Sequence, residues 1–131
     1  MAGRLVVSTL NDDTGVLQTQ NGMSGIAKAW VNFDGGGTIS TNQTIRASFN
    51  VSSVFKNGTG DYTVNFTTAM PNVNYSFAGN CSQDVGGAAG GTIVVNQGGT
   101  LPTASAFNLR VHRSTVSYVN ATYIAINFFS S

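Results

Sequence analysis

Between positions 26 and 77 apolar residues recur at every second place, the period of a strand with one face in a core and the other in water. In residues 26–33 the odd positions Ala27, Ala29, Val31 and Phe33 are apolar, while Lys28 and Asn32 fall on the opposite face. Trp30 is out of phase, a large aromatic on the polar side. Residues 45–52 alternate without a fault, and in residues 61–68 Tyr62, Val64 and Phe66 oppose Thr63, Asn65 and Thr67. Asn57-Gly58-Thr59-Gly60 supplies residues that tolerate positive φ and close a hairpin. The pattern predicts an antiparallel meander of three strands.

Before this stretch, residues 4–10 and 16–20 read as two short strands around Asn11-Asp12-Asp13-Thr14-Gly15. Asn21-Gly22-Met23-Ser24-Gly25 has the composition of a hinge, so residues 1–25 are expected to form an N-terminal β arm. The alternative is a hairpin that completes the main sheet. An arm with free backbone donors and acceptors can pair with the sheet edge of a neighbour.

After the meander, Pro71 ends the third strand because it has no N–H for a ladder. Strands are expected at residues 74–80, 92–95 and 107–113, separated by a glycine-dominated segment at 81–91 and a soft one at 96–103. In residues 107–113, Phe107, Leu109 and Val111 are expected inward, with Arg110, His112 and Arg113 outward. The last run, 118–129, is apolar on both faces: Ile124, Ile126 and Phe128 interleave with Tyr123, Ala125 and Phe129. That fits a central strand between the core and a subunit interface. With eight to ten short strands and no helical period, the expectation is an all-β protein. Residues 26–131 are expected to form a single antiparallel β-sandwich or jelly-roll-like domain, preceded by the arm.

Composition narrows the chemistry. Charged residues make up 8% of the 131 residues, against about 25% in typical domains. There is no glutamate, and the only lysines are Lys28 and Lys56. A surface so poor in charge is better suited to burial against copies of itself or on a larger particle than to a free monomer. A net charge of +1 with no wide basic stripe gives no reason to expect nucleic acid or an anionic membrane as partner. The single Cys81 cannot form an internal disulfide. Residues 5–7 are too short an apolar run for a signal peptide, and no run approaches a membrane span. Production in a cytoplasm, with release by lysis, is expected.

Catalytic groups are scarce. Asp12, Asp13, Asp34, Asp61 and Asp84 sit mostly in turn contexts, where aspartate bonds nearby backbone amides. His112 is the sole histidine, so a multi-histidine metal site within one chain is excluded, and a triad lacks a nucleophile. A three-fold arrangement of His112 around a metal is opposed by Arg110 and Arg113. Cys81 reads as a plain loop or core thiol. Gly86-Gly87-Ala88-Ala89-Gly90-Gly91 lacks the Lys-Ser/Thr and the helix of a phosphate loop. The seven N-x-S/T sequons reflect composition. No enzyme, metal or cofactor is expected. Trp30 is read as an interface residue ahead of a sugar platform.

The words AKAWVNFDG, IRASFNVSS, NGTGDYTVNFTTAMPN and NYSF, over about residues 26–80, resemble a small domain of bacteriophage tail-fibre and virion-surface proteins, chiefly from phages of aquatic bacteria and cyanobacteria. The resemblance implies a virion location and three-fold assembly, and brings no enzyme with it. The short chain with its own Met1 and no repetitive shaft tilts the expectation to a homotrimeric capsid decoration or cement protein that grips the major capsid protein. The alternative is a tail-fibre or spike tip that binds a host-surface glycan. Under these readings Trp30, Tyr123, Ile124, Ile126, Phe128 and Phe129 are candidates for the oligomer interface. Leu5, Val6, Val7, Leu10, Val16 and Leu17 are candidates for the virion anchor. Gly86, Gly87, Gly90, Gly91 and Gln97 mark the candidate ligand loops.

Overall fold

The computed structural model describes residues 26–82, 91–96, 101–113 and 117–130. Among them there are eight strands and no helix: β1 Ala27–Phe33, β2 Ile45–Phe49, β3 Val51–Gly58, β4 Asp61–Phe66, β5 Ser76–Cys81, β6 Thr92–Val95, β7 Ala106–His112 and β8 Ile124–Phe129. They form two four-stranded sheets, β2-β1-β8-β5 and β3-β4-β7-β6, with every pairing antiparallel. Of the two expected architectures, this is the β-sandwich. The expected strands at 4–10 and 16–20, and the arm they were to make, lie outside the described residues.

The expected three-strand meander is not formed: β1 and β2 pair in one sheet, and β4 pairs in the other with β3, a strand that was not expected. Residues 45–52 are not a single strand, because Asn50 has a φ of 56° and turns the chain from one sheet into the other. Asparagine tolerates this left-handed conformation better than most residues. Its side chain locks the corner: Nδ2 donates to Lys28 O at 3.1 Å and Thr68 O at 3.0 Å, and Oδ1 accepts from Thr68 N at 2.7 Å. The β3–β4 hairpin then turns on the expected glycines, with Gly60 at a φ of 62°. A Cβ there would lie 2.6 Å from Val119 O.

Side chains from both sheets meet in a core that contains Val31, Phe33, Val64, Leu109, Val111, Ile124 and Ile126. One end is an aromatic cluster. Phe128 of β8 makes edge contacts with Phe66 of β4 at 5.0 Å and Phe107 of β7 at 5.1 Å, and Tyr75 and Phe77 close around Phe107. Edge-to-face geometry matches the quadrupoles of the rings, so these contacts exceed plain area burial.

The other end of the core is polar. Lys56 is 1% exposed and donates from Nζ to Gly35 O at 2.9 Å and Gly37 O at 2.7 Å. Tyr62 Oη also donates to Gly35 O, at 2.7 Å, and Asn120 Oδ1 accepts from Gly60 N at 3.0 Å. Gly35 is required here, since a Cβ would sit 2.5 Å from the Tyr62 hydroxyl. Lys28, expected on the solvent face, is buried too, because a bulge between Ala27 and Ala29 takes it out of the strand's alternation. Both lysines of the chain are therefore inside.

These buried groups set the alkaline response. Burial pushes Tyr75 up to about 12 and raises Tyr62 as well, with the Asp34 charge adding to the effect at Tyr62. A phenol whose folded value is raised gives stability that is complete below its ordinary value near 10 and is lost as pH climbs beyond it. Lys56 acts in the opposite sense: burial lowers it from 10.5, against a partial opposing pull from Asp34, so its contribution improves as pH rises to that value. Denaturation midpoints should therefore hold or rise to about pH 10 and fall steadily from there towards about pH 12. In a Tyr118→Phe, Tyr123→Phe background, which leaves Tyr62 and Tyr75 as the only tyrosines, tyrosinate absorbance should emerge only with unfolding; its appearance in the folded protein near pH 10 would place these rings in water.

Candidate interaction surfaces

Each sheet has one face in the core, so the two outer faces are where this fold meets anything else. Register defines the outer face of β2-β1-β8-β5. Trp30 stands between Phe49 of β2 and Asn127 of β8, and Asn127 faces Ala78 of β5. The next row is Ala47, Asn32, Ala125 and Asn80, and Phe129 opposes Ser76 in a third. No charged side chain stands in these rows. Trp30 is 36% exposed and Tyr123 47%, with Phe49 and Phe129 half-buried. The nearest charges are a pair that borders the second row: Arg46 Nη1 donates to Asn32 Oδ1 at 3.5 Å, Arg46 Nη2 lies 3.2 Å from Asp34 Oδ2 and donates to Thr122 O at 2.7 Å, and the guanidinium sits 5.5 Å from the Tyr123 ring centre.

This geometry splits the expected interface residues. Trp30, Tyr123 and Phe129 are on or beside the outer face. Ile124, Ile126 and Phe128 are not: all three point inward, with exposures of 0%, 1% and 0%, and they are corrected to core residues. β8 does hold the expected central position, between β1 and β5.

The outer face of β3-β4-β7-β6 is polar and closely bonded. Asp61 is its centre: Oδ1 accepts from Asn57 Nδ2 at 3.1 Å, and Oδ2 accepts from Asn96 Nδ2 at 3.1 Å and Arg110 Nε at 3.0 Å. Thr63 Oγ1 accepts from Asn57 Nδ2 at 2.9 Å and donates to Asn108 Oδ1 at 2.6 Å. The Arg110 guanidinium lies 4.5 Å from the Tyr118 ring centre, and His112 meets the same ring edge-on at 4.6 Å. The Asp61 hydrogen bond and charge hold Arg110 above its ordinary value.

The single-residue expectations sort as follows. Asp34 Oδ1 accepts the Gly36 amide at 2.8 Å, as a turn aspartate should, whereas the Asp61 contacts are with side chains. Cys81 is a half-buried strand residue whose Sγ donates to Gly91 O at 3.1 Å, and burial pushes its thiol up. Gly91 is half-buried just before β6, and a Cβ there would lie 2.7 Å from Val111 Cγ1. Gly86, Gly87, Gly90 and Gln97 lie outside the described residues, as do the anchor candidates Leu5, Val6, Val7, Leu10, Val16 and Leu17. Among the described residues no group of three or more His, Cys, Asp or Glu could hold a metal ion.

Sequence reasoning singled out Trp30 by its phase but did not assemble the Asp61 cluster. Its members come from three strands and from Asn96 just after a fourth, and their common face exists only once the register is fixed. No family model, curated protein or solved structure matches the chain.

Proposed function

We propose that the chain is a nonenzymatic structural protein of a bacteriophage particle, a homotrimeric surface module that attaches to the capsid as a decoration or cement protein. One observation carries this reading: the outer face around Trp30 presents aromatic rings, alanines and neutral amides over three rows without a charge. A surface of that kind loses little by dehydration, and copies that meet on it suffer no like-charge repulsion. The phage assignment itself comes from the resemblance of residues 26–80, and residues 1–25 act as the anchor to the major capsid protein.

Self-association is tested by sedimentation of the purified chain. The wild type should run as a trimer. Trp30→Asp buries an unpaired charge in the contact and should yield a folded monomer. A wild type that stays monomeric at high concentration rejects the assembly. Protein copy number on purified particles then decides placement, because a capsid component is abundant and a tail tip is scarce.

A further inference from the structure

We propose that the outer face of the β3-β4-β7-β6 sheet binds a neutral, hydroxyl-rich glycan, a function separate from assembly through the opposite face. The starting point is Asn96. Its side chain is 5% exposed, its Nδ2 is committed to Asp61, and its Oδ1 is buried with no hydrogen-bond donor. Buried amide oxygens are rarely left in this state, because an unmade hydrogen bond is costly. What the position lacks is a donor, and a ligand hydroxyl is one.

The surroundings are arranged for such a ligand. A row across the four strands runs Phe55, Thr63, Asn108, Asn96: Phe55 opposes Thr63, Thr63 opposes Asn108, and Asn96 N donates to Asn108 O at 3.0 Å. Three strand spacings make this row about 14 Å long. The polar side chains in it and beside it are fixed by two or more bonds each, so the lone pairs left over keep fixed directions before any ligand arrives.

Charge and aromatic placement select the ligand class. Asp61 and Arg110 neutralise one another at 3.0 Å, which leaves no net charge to attract an anion or a cation. Phe55 is 36% exposed and Tyr118 41%. Tyr118 bridges His112, two side-chain rows from Asn108, so the two rings flank the polar patch about 13 Å apart along the strands. Rings at the margins with amide and hydroxyl groups between them suit sugars, which have apolar ring faces and polar rims.

Isothermal titration of the full chain with cellohexaose, maltohexaose and chitohexaose tests the proposal, with a heparin hexasaccharide as the anionic comparison. Saturable binding of at least one neutral sugar is expected. Asn96→Ala and Phe55→Ala should each weaken it about tenfold, the loss of one hydrogen bond or one stacking surface. Phe55 is exposed, so its variant keeps the fold even if the Asn96 variant does not. Trp30→Ala, on the opposite sheet, should leave the affinity unchanged whatever it does to assembly, so failure of either reading is visible by itself. No binding of the three neutral sugars, binding of heparin alone, or affinity that survives both Asn96→Ala and Phe55→Ala overturns the proposal.

Discussion

Replacing Phe128 with alanine is expected to lower the unfolding free energy by about 3–5 kcal/mol, the range for removing a buried phenylalanine. Phe128 has no exposed surface, and its ring is the piece of β8 that reaches across the sandwich to Phe66 and Phe107 on the other sheet, with Tyr75 also in contact at 6.0 Å. The rings around it are anchored to different strands and cannot all move in to fill the space. The Tyr75 hydroxyl is tied to Thr103 O at 3.0 Å and Ala106 O at 3.2 Å, which restrains it further. Domains of this size are stable by roughly 5–15 kcal/mol, so the loss is a large part of the total. Urea unfolding followed by circular dichroism measures it. Phe129→Ala, on the outer face of the same strand, should cost far less in the separated subunit. Equal costs at 128 and 129 would contradict the inward and outward assignment of β8.

The strand itself was visible in the residue pattern, but its direction was not: with apolar residues on both faces, Ile124, Ile126 and Phe128 were expected at an interface and lie in the core. β4, β6 and β7 are regular ladders, so all three were located from the sequence, and in β4 and β7 a simple period of two also gave the inward residues. Where the backbone departs from regularity, the period misled. Ala47 and Phe49 continue the alternation of Ile45, but a register shift between Asn32 and Phe33 puts them on the outer face. Val51 then resumes the inward phase in a different sheet, so the corner at Asn50 left no break in the pattern. The rest of β3 was missed because a register shift between Val51 and Ser53 interrupts its period and one of its inward positions is Lys56. A lysine reads as solvent until the backbone carbonyls that receive it are in view. The two outer faces were unequally legible for a similar reason: Trp30 announces itself by phase on one strand, whereas Asp61, Asn96, Asn108 and Arg110 become neighbours only through pairing.

Lys56 gives the other large effect. Lys56→Ala removes the donor of Gly37 O and one of the two donors of Gly35 O, and opens a cavity beneath the 35–37 loop; the expected cost is about 3 kcal/mol. Lys56→Met restores most of the volume without the donor and should recover part of the loss. The shared carbonyl makes a sharper test. Gly35 O accepts from both Lys56 Nζ and Tyr62 Oη, so either single removal, Lys56→Met or Tyr62→Phe, leaves it with one donor. Only the double variant strips it of both. The double variant should therefore be less stable than the sum of the singles by about 1 kcal/mol or more, a coupling well outside the roughly 0.3–0.5 kcal/mol scatter of independent sites. Additivity within that scatter, read from urea midpoints of the four proteins, would mean that water takes over at Gly35 O and that Lys56 is held by Gly37 O alone.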